Sequence, residues 1–567
     1  MACVKLLLER KVQVIVAKTL FVCLLILTAP LCAQKKIYPE RWVYVSGELG
    51  SDRAVEQFRD IARTASEHGL TAILFSSGFD RLDLQPPENI ARLKEVKSIC
   101  ERYHLELVPS MFGTGYGGGI LSHDKNLAEG LLAKDALFVV EGGVARFSPE
   151  NSASFGNGGF EEHQGDRPDG YVPGVKTAIE STVFHSGKVS LRLEGFGAKP
   201  DDSAHIAQEI TVRPYRQYKL SMWVKTEDVK PAVLGGIHAF SDDGRSLHPW
   251  EPRISGTSDW HQLVSGFNSS SATKFKLDIG IFEAAKGATG KVWIDDVKVE
   301  EVGLLNVLRR AGTPVTVRDE KTGTVYEEGK DYAPIADPEL NFRWNHDGPA
   351  VRILPEGRIK DGARLRLSYY HGTTIYQSQV PVCLSEPKAQ EIWDRCAHLI
   401  HDLLAPRKYM MAMDEMRMAN SCETCKRRGL TAAELVGTAT TRQFNAIRAI
   451  DPKAEVYVWS DMYDPNHNAR NHYYLVEGDI TGSWNYIPKE LRMVCWYYER
   501  RQPSLAHFSK LGFQILAGAY YDGNTLDNPK GWLETLDETP GAIGIMYTTW
   551  QNKYGLLADF GDLVSKR

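Results

Sequence analysis

The chain has 567 residues, 43% hydrophobic and 25% charged, an ordinary globular composition with length for several domains. A formal net charge of -5 and a pI near 6.4 give no electrostatic case for nucleic acid. Acidic and basic residues are interspersed rather than blocked, as on a solvated surface.

At the N-terminus Lys5, Arg10, Lys11 and Lys18 precede the apolar run Leu20 to Leu27, and Leu31-Cys32-Ala33 follows. This pattern is expected to act as a signal peptide over residues 1–33, cleaved near Ala33, with export to the periplasm, the cell surface or the medium. The run is short for a membrane span, and an uncleaved N-terminal anchor is the alternative. No other membrane contact is expected.

From residue 41 to about 145 strand and helix signals alternate. Trp42 to Val45, Ala72 to Phe75 and Leu105 to Pro109 read as strands. Phe58, Ile61, Ala62 and Ala65 recur at helical spacing, and Ile90 to Tyr103 reads as the next helix. The third strand runs into Gly113-Thr114-Gly115-Tyr116-Gly117-Gly118-Gly119, which lacks the spacing of a nucleotide loop and is expected to be a flexible loop at the rim of a site. Near Asn151 the pattern changes to short strands and turns, including Leu191 to Leu193, Ile210 to Val212, Tyr218 to Val224 and Val292 to Ile294. Asn157-Gly158-Gly159-Phe160-Glu161, Tyr215 to Ser221 and Trp293-Ile294-Asp295-Asp296-Val297 make residues 151–302 resemble a carbohydrate-binding-module jelly roll. Trp223, Trp250 and Trp260 are candidate stacking platforms, with alternation favouring a core position for Trp223. Residues 303–375 read as a second small β domain.

Alternation then resumes with an amphipathic helix at Ala389 to Leu404. Strands are expected at Met410 to Met413, Val456 to Trp459, Val494 to Tyr498, Phe513 to Ala517 and Ile543 to Tyr547. Three strands before the insertion and five after it make eight. The fold class is therefore α/β, a (β/α)8 TIM barrel formed by residues 34–150 and 376–567 and interrupted by two β domains.

Beyond the leader, six cysteines remain: Cys100, Cys383, Cys396, Cys422, Cys425 and Cys495. Cys422-Glu423-Thr424-Cys425 offers two of the four ligands that a structural zinc site needs. A local disulfide or free thiols is the expectation there, and neither metal nor cofactor is expected.

Barrels of this kind carry their chemistry at the C-terminal strand ends. Those ends supply Asp414, Glu415 and Arg417; Trp459, Asp461 and Tyr463; Trp496 and Glu499; Tyr521 and Asp522; and Trp550. Aromatic faces pack on a pyranose while carboxylates bind hydroxyls and move protons. Two adjacent acids that share one pocket push one pKa upward, as glycoside cleavage requires. Each element has a plainer use: Asp461 and Asp522 as loop caps, Trp459 and Trp496 as barrel core, Arg417 as a carboxylate clamp.

An apolar strand ending Asp414-Glu415, followed by Trp459-Ser460-Asp461, a Trp496 strand, Tyr521-Asp522 and a last strand with Trp550, resembles the β-N-acetylhexosaminidases of glycoside hydrolase family 20 over about residues 375 to 560. The resemblance implies a substrate-assisted retaining mechanism. Asp414 would orient a 2-acetamido group whose oxygen attacks the anomeric carbon, and Glu415 would be the acid and then the base. Tyr521 would hydrogen-bond the acetamido group, Trp459, Trp496 and Trp550 would wall the sugar pocket, and Arg417, Asp461, Tyr463 and Asp522 would bind or position nearby groups. Two features depart from the family: Ala412-Met413 replace Gly-Gly before the pair, and no Arg follows the first strand in Val45-Ser46-Gly47-Glu48-Leu49. The expected partner is an oligosaccharide. Two other readings stand beside this one. A retaining glycosidase could use Asp461, Glu499 or Asp522 as its own nucleophile, and a non-catalytic protein could bind glycans on the same scaffold.

Overall fold

Eight short apolar segments pair in parallel and close on themselves: β1 (Glu40–Ser46), β2 (Ala72–Ser76), β3 (Glu106–Met111), β4 (Lys408–Met411), β5 (Glu455–Trp459), β6 (Arg492–Cys495), β7 (Gln514–Tyr520) and β8 (Ala542–Thr548). The structure is a computed structural model describing residues 36–150, 153–248, 252–376 and 378–567. The expected signal segment and Trp250 lie outside the described residues. No helix among the described residues is long and apolar enough to cross a membrane.

Parallel strands buried on both faces must be apolar on both, which is why they read as continuous runs. Trp42, Leu74, Val108, Met410, Tyr457, Val494, Leu516 and Met546 fill the barrel interior. Val43, Ile73, Phe75, Met411, Val458, Ile515 and Ile545 belong to the larger cluster shared with the surrounding helices. At the N-terminal mouth Lys408 Nζ lies 2.8 Å from Glu40 and 2.9 Å from Glu106, neutralising charges that β4 would otherwise bury alone.

Among the described residues seven α-helices of nine residues or more cover the barrel: α1 (Asp52–Glu67), α2 (Pro87–Arg102), α3 (Pro387–Leu404), α4 (Ala432–Ile450), α5 (Arg501–Lys510), α6 (Asp527–Asp537) and α7 (Leu557–Ser565). Their starts follow sequence logic: Ser51 caps α1, Pro sits in the first turn of α2 and α3, and Thr431 with Glu434 forms a capping box on α4. The strict eightfold alternation expected from sequence fails at one connection. Between β5 and β6 the described chain makes no α-helix: it has short 3-10 turns at Asp461–Tyr463 and Ser483–Asn485 and the two-residue strand Leu475–Val476, which pairs with Met418–Ala419.

The insertion between β3 and β4 is nested rather than sequential. Strand Leu131–Glu141 pairs antiparallel with Arg364–His371 and with Val144–Phe147, in a six-stranded sheet that also holds Thr316–Asp319. Residues 131–147, assigned from sequence to the first part of the barrel, thus belong to this small β domain, and the larger β domain emerges from within it.

The larger domain is a nine-stranded antiparallel sheet built on the 25-residue strand Gln217–Ser241. The first part of that strand pairs with Thr289–Val302 and its end with Lys274–Ala284. Leu191, Leu220, Leu277, Ile279 and Val292 form its core. Trp223 is not in that core. Met222 and Val224 point inward, so Trp223 faces outward, stacked on His185 at a centroid distance of 3.9 Å with Trp260 beside it. Met418 and Leu475, from loops after β4 and β5, bury themselves in the same cluster, and His472 Nδ1 lies 3.1 Å from Asp243. The β domain therefore leans on the C-terminal end of the barrel strands.

Candidate active site

Chain beyond the C-terminal strand ends encloses a cavity of about 640 Å³ lined by Asp414, Glu415, Arg417, Trp459, Trp496, Tyr521, Asp522 and Trp550. These are eight of the eleven strand-end residues singled out from sequence; Asp461, Tyr463 and Glu499 do not line it. Tyr463 is not among them: it is fully buried, with its hydroxyl 2.5 Å from Thr440, and belongs to the packing between the barrel and α4. Asp461 has no exposed surface and sits beneath the pair, where its carboxylate accepts hydrogen bonds from the Glu415 N–H at 2.8 Å and from Asn468 at 2.9 Å. It thus holds the Glu415 backbone and presents no surface to the cavity.

β4 ends at Met411, so Asp414 and Glu415 stand on the following loop, free of strand alternation. Glu415 adopts a left-handed conformation with φ 46°. Such a conformation costs free energy in a non-glycine residue and persists where surroundings enforce it. Here the surroundings are specific. One Glu415 oxygen is 2.8 Å from Arg417, and the other accepts a hydrogen bond from the Tyr116 hydroxyl at 2.5 Å. Gln379 donates to the Glu415 carbonyl at 2.7 Å and accepts from Arg417 at 2.7 Å. The guanidinium lies over the rings of Tyr376 and Tyr474, at 4.7 and 5.2 Å.

Charge is crowded here. Burial first, then the charges of Asp461 and Glu415, push the Asp414 carboxyl well above the usual carboxylate range. Burial likewise raises Asp461, to about 7, against the opposing hydrogen bond from the Glu415 N–H. A third acid, Asp80, lines the cavity from the connection after β2. Burial raises it to about 6, although the Gly113 and Phe112 N–H groups donate to it.

The aromatic wall is built from strand ends. Trp496 and Tyr521 lie nearly parallel, with centroids 6.2 Å apart, and Tyr521 stands at 73° to Trp550. Tyr44 from β1 meets Trp550 at 5.1 Å. Tyr521 and Trp550 are 47% and 45% exposed, so their faces are open to a ligand. Trp459 is 5% exposed and serves more as floor than as wall. Asp522 ties down the loop that carries Trp550, accepting from its backbone N–H at 2.9 Å and from the Thr549 hydroxyl.

Sequence reasoning passed over Tyr44, Asp80, Tyr116, Tyr376 and Arg253, all of which line the cavity. Tyr116 had a signal, since it stands inside the glycine-rich segment. That segment is not a free loop: it forms a short helix at Gly118–Leu121 and seats against the Asp414–Glu415 backbone. A Cβ on Gly115 would stand 2.2 Å from the Asp414 carbonyl oxygen, so the glycine permits a contact that no other residue could make. Arg253 comes from the larger β domain and had no signal in the order of barrel strands.

No family model matches the chain, and no curated protein matches it. Solved structures with similarity include TmCBM61 in complex with β-1,4-galactotriose, 18% identical over 26% of this chain and 95% of that one with a TM-score of 0.20. The CBM22-1 xylan-binding domain from Paenibacillus barcinonensis Xyn10C is 12% identical over 27% of this chain and 93% of that one, with a TM-score of 0.20. A rhamnosidase from Novosphingobium sp. PP1Y is 12% identical over 92% of this chain and 56% of that one, with a TM-score of 0.29. Likenesses this distant carry no argument about substrate, and the functional reading rests on the chain's own geometry.

Proposed function

We propose that the chain is an exported, exo-acting glycoside hydrolase of the β-N-acetylhexosaminidase type, using a substrate-assisted retaining mechanism. One observation carries the reading: Asp414 and Glu415 meet the Trp496–Tyr521–Trp550 wall around one cavity. The nucleophiles that a conventional retaining scheme would use are badly placed. Asp461 has no exposed surface, Asp522 is committed to Thr549 and Trp550, and Glu499 does not line the cavity. A nucleophile brought by the substrate removes that difficulty.

The electrostatics favour the reverse of the roles that the family resemblance implies. Asp414, pushed upward by burial and two neighbouring acids, suits the proton donor that becomes the base for water. Glu415 is the partner of the Arg417 guanidinium and accepts from Tyr116. That suits it to hold the acetamido N–H and to stabilise the positive charge that develops as the acetamido oxygen attacks.

Hydrolysis of an aryl N-acetylglucosaminide, inhibited by a thiazoline mimic of the cyclic intermediate, is the expected result. Covalent trapping by a fluorosugar would sink the substrate-assisted reading. Measurable glycan binding with no turnover on any aryl glycoside would sink the enzyme reading.

Arg253 adds a specificity contact. Arg253→Ala is expected to raise KM about three- to tenfold with kcat nearly kept, the signature of lost uniform binding. An unchanged KM would remove the β domain from the substrate site.

A further inference from the structure

Three cysteines and a glutamate distant in sequence meet where the barrel joins the small β domain. Ala128 and Val382 pair across an isolated antiparallel bridge, which brings Glu129 beside Cys383. Cys422 caps the short helix Glu423–Lys426, and that turn presents Cys425 on the same side. The three sulfurs and one Glu129 oxygen lie within 4.8 Å of one another, and all four residues are buried.

We propose that this cluster is a four-coordinate site for a zinc-like divalent cation. The distances decide between occupants. With metal–sulfur bonds of about 2.3 Å, a tetrahedron has sulfur–sulfur edges of about 3.8 Å, and with a metal–oxygen bond of about 2.1 Å its sulfur–oxygen edges are about 3.6 Å. Cys383 Sγ lies 3.4 Å from Cys422 Sγ and 3.6 Å from Cys425 Sγ, while Cys425 Sγ lies 3.5 Å from Glu129 Oε2. A disulfide needs about 2.05 Å, and pairing any two of three thiols strands the third. An iron–sulfur cluster would hold its cysteines further apart than a single ion does.

The surrounding shell fits an ion. Glu129 Oε1 is taken by the Ser421 N–H and hydroxyl and by the Cys422 N–H, at 3.0, 2.9 and 2.8 Å, which leaves Oε2 facing the sulfurs. Arg310 donates to Cys422 Sγ at 3.4 Å and is itself fixed by Glu386 and by the Asn126 and Ala128 carbonyls. Three thiolates, one carboxylate and a divalent cation carry a net charge of two negatives, which the guanidinium halves. Metal ligands commonly need such outer partners to set their orientation. On binding, each thiol gives its proton to solvent and its sulfur lone pair to the cation.

The site is closed by protein ligands with no position for substrate, so its role is structural. It pins the loop that starts at Glu415 and Arg417 to the small β domain, alongside the Tyr370 hydroxyl bond to Glu423 at 2.6 Å. The inference is independent of the proposed glycosidase activity, because metal content reads it directly.

Elemental analysis of the purified full chain, expressed with zinc present, is expected to give one zinc per chain. Replacement by Co(II) should give thiolate charge-transfer absorption and the intense visible bands of a tetrahedral ion. Glu129→Gln keeps an oxygen for Ser421 and Cys422, so it should fold while holding zinc at least about tenfold more weakly against a chelator. Cys383→Ser should lower the metal content in parallel. Metal-free chain with three free thiols at these positions, or a disulfide between any two of them by mass spectrometry, would overturn the proposal.

Discussion

Asp414→Asn and Glu415→Gln are each expected to cut kcat/KM for an aryl N-acetylglucosaminide by about 10²–10⁴-fold, with different dependences on the leaving group. If Asp414 donates the proton, its loss should matter little for a dinitrophenyl glycoside, whose oxygen needs no help, and severely for a poor leaving group. Loss of Glu415 should depress every substrate alike, because the charge it stabilises develops whatever departs. The pH profile adds a second readout. Asp414 is raised by burial and by Asp461 and Glu415, so the limb on which activity falls with rising pH should lie well above the ordinary carboxylate range. That limb should vanish in Asp414→Asn and survive in Glu415→Gln. Leaving-group dependence in Glu415→Gln alone would restore the roles that the family resemblance implies. Full activity of both variants would remove the pair from the chemistry.

The eight barrel strands were legible because parallel strands buried on both faces leave nothing but apolar runs, as Val456 to Trp459 and Ala72 to Phe75 show. The carboxylates and aromatics were legible because barrel chemistry gathers at predictable strand ends. What escaped was set by contacts between distant segments. Strand Leu131–Glu141 follows β3 closely in sequence, yet its partner is Arg364–His371, more than two hundred residues on. Tyr463 looked like a site residue by its place beside Trp459 and Asp461, but the 3-10 turn aims it into Thr440. Cys422 and Cys425 supply half a ligand set, and the other half comes from two segments that only the fold brings near. Arg253 reaches the cavity from another domain, and strand order says nothing of that. Burial of Asp461 was likewise invisible, although it decides what that residue does.

Asp461→Asn is expected to make the protein slower and, above neutral pH, more stable. The folded-state carboxyl is raised to about 7 from an ordinary value of 3.8, so between those pH values the folded chain holds more proton than the unfolded one. The stability this group contributes is full below about pH 4 and is lost as pH rises through about 7. One of its oxygens, Oδ1, is buried without a partner, while the other holds Glu415 and Asn468. Asparagine has the shape of the neutral acid and carries no charge to bury. Its thermal midpoint should exceed that of the parent by about 1–3 °C near pH 8 and match it near pH 4. The cost falls on catalysis, because the amide holds the Glu415 backbone less firmly and kcat should drop by about 10–10²-fold. A purely structural role predicts no more than that. Asp461 is also the largest charge raising Asp414, so its removal should shift the basic limb of the pH profile to lower pH. An unmoved limb would show that the two acids do not share their field, and the assignment of the proton to Asp414 would lose its main support.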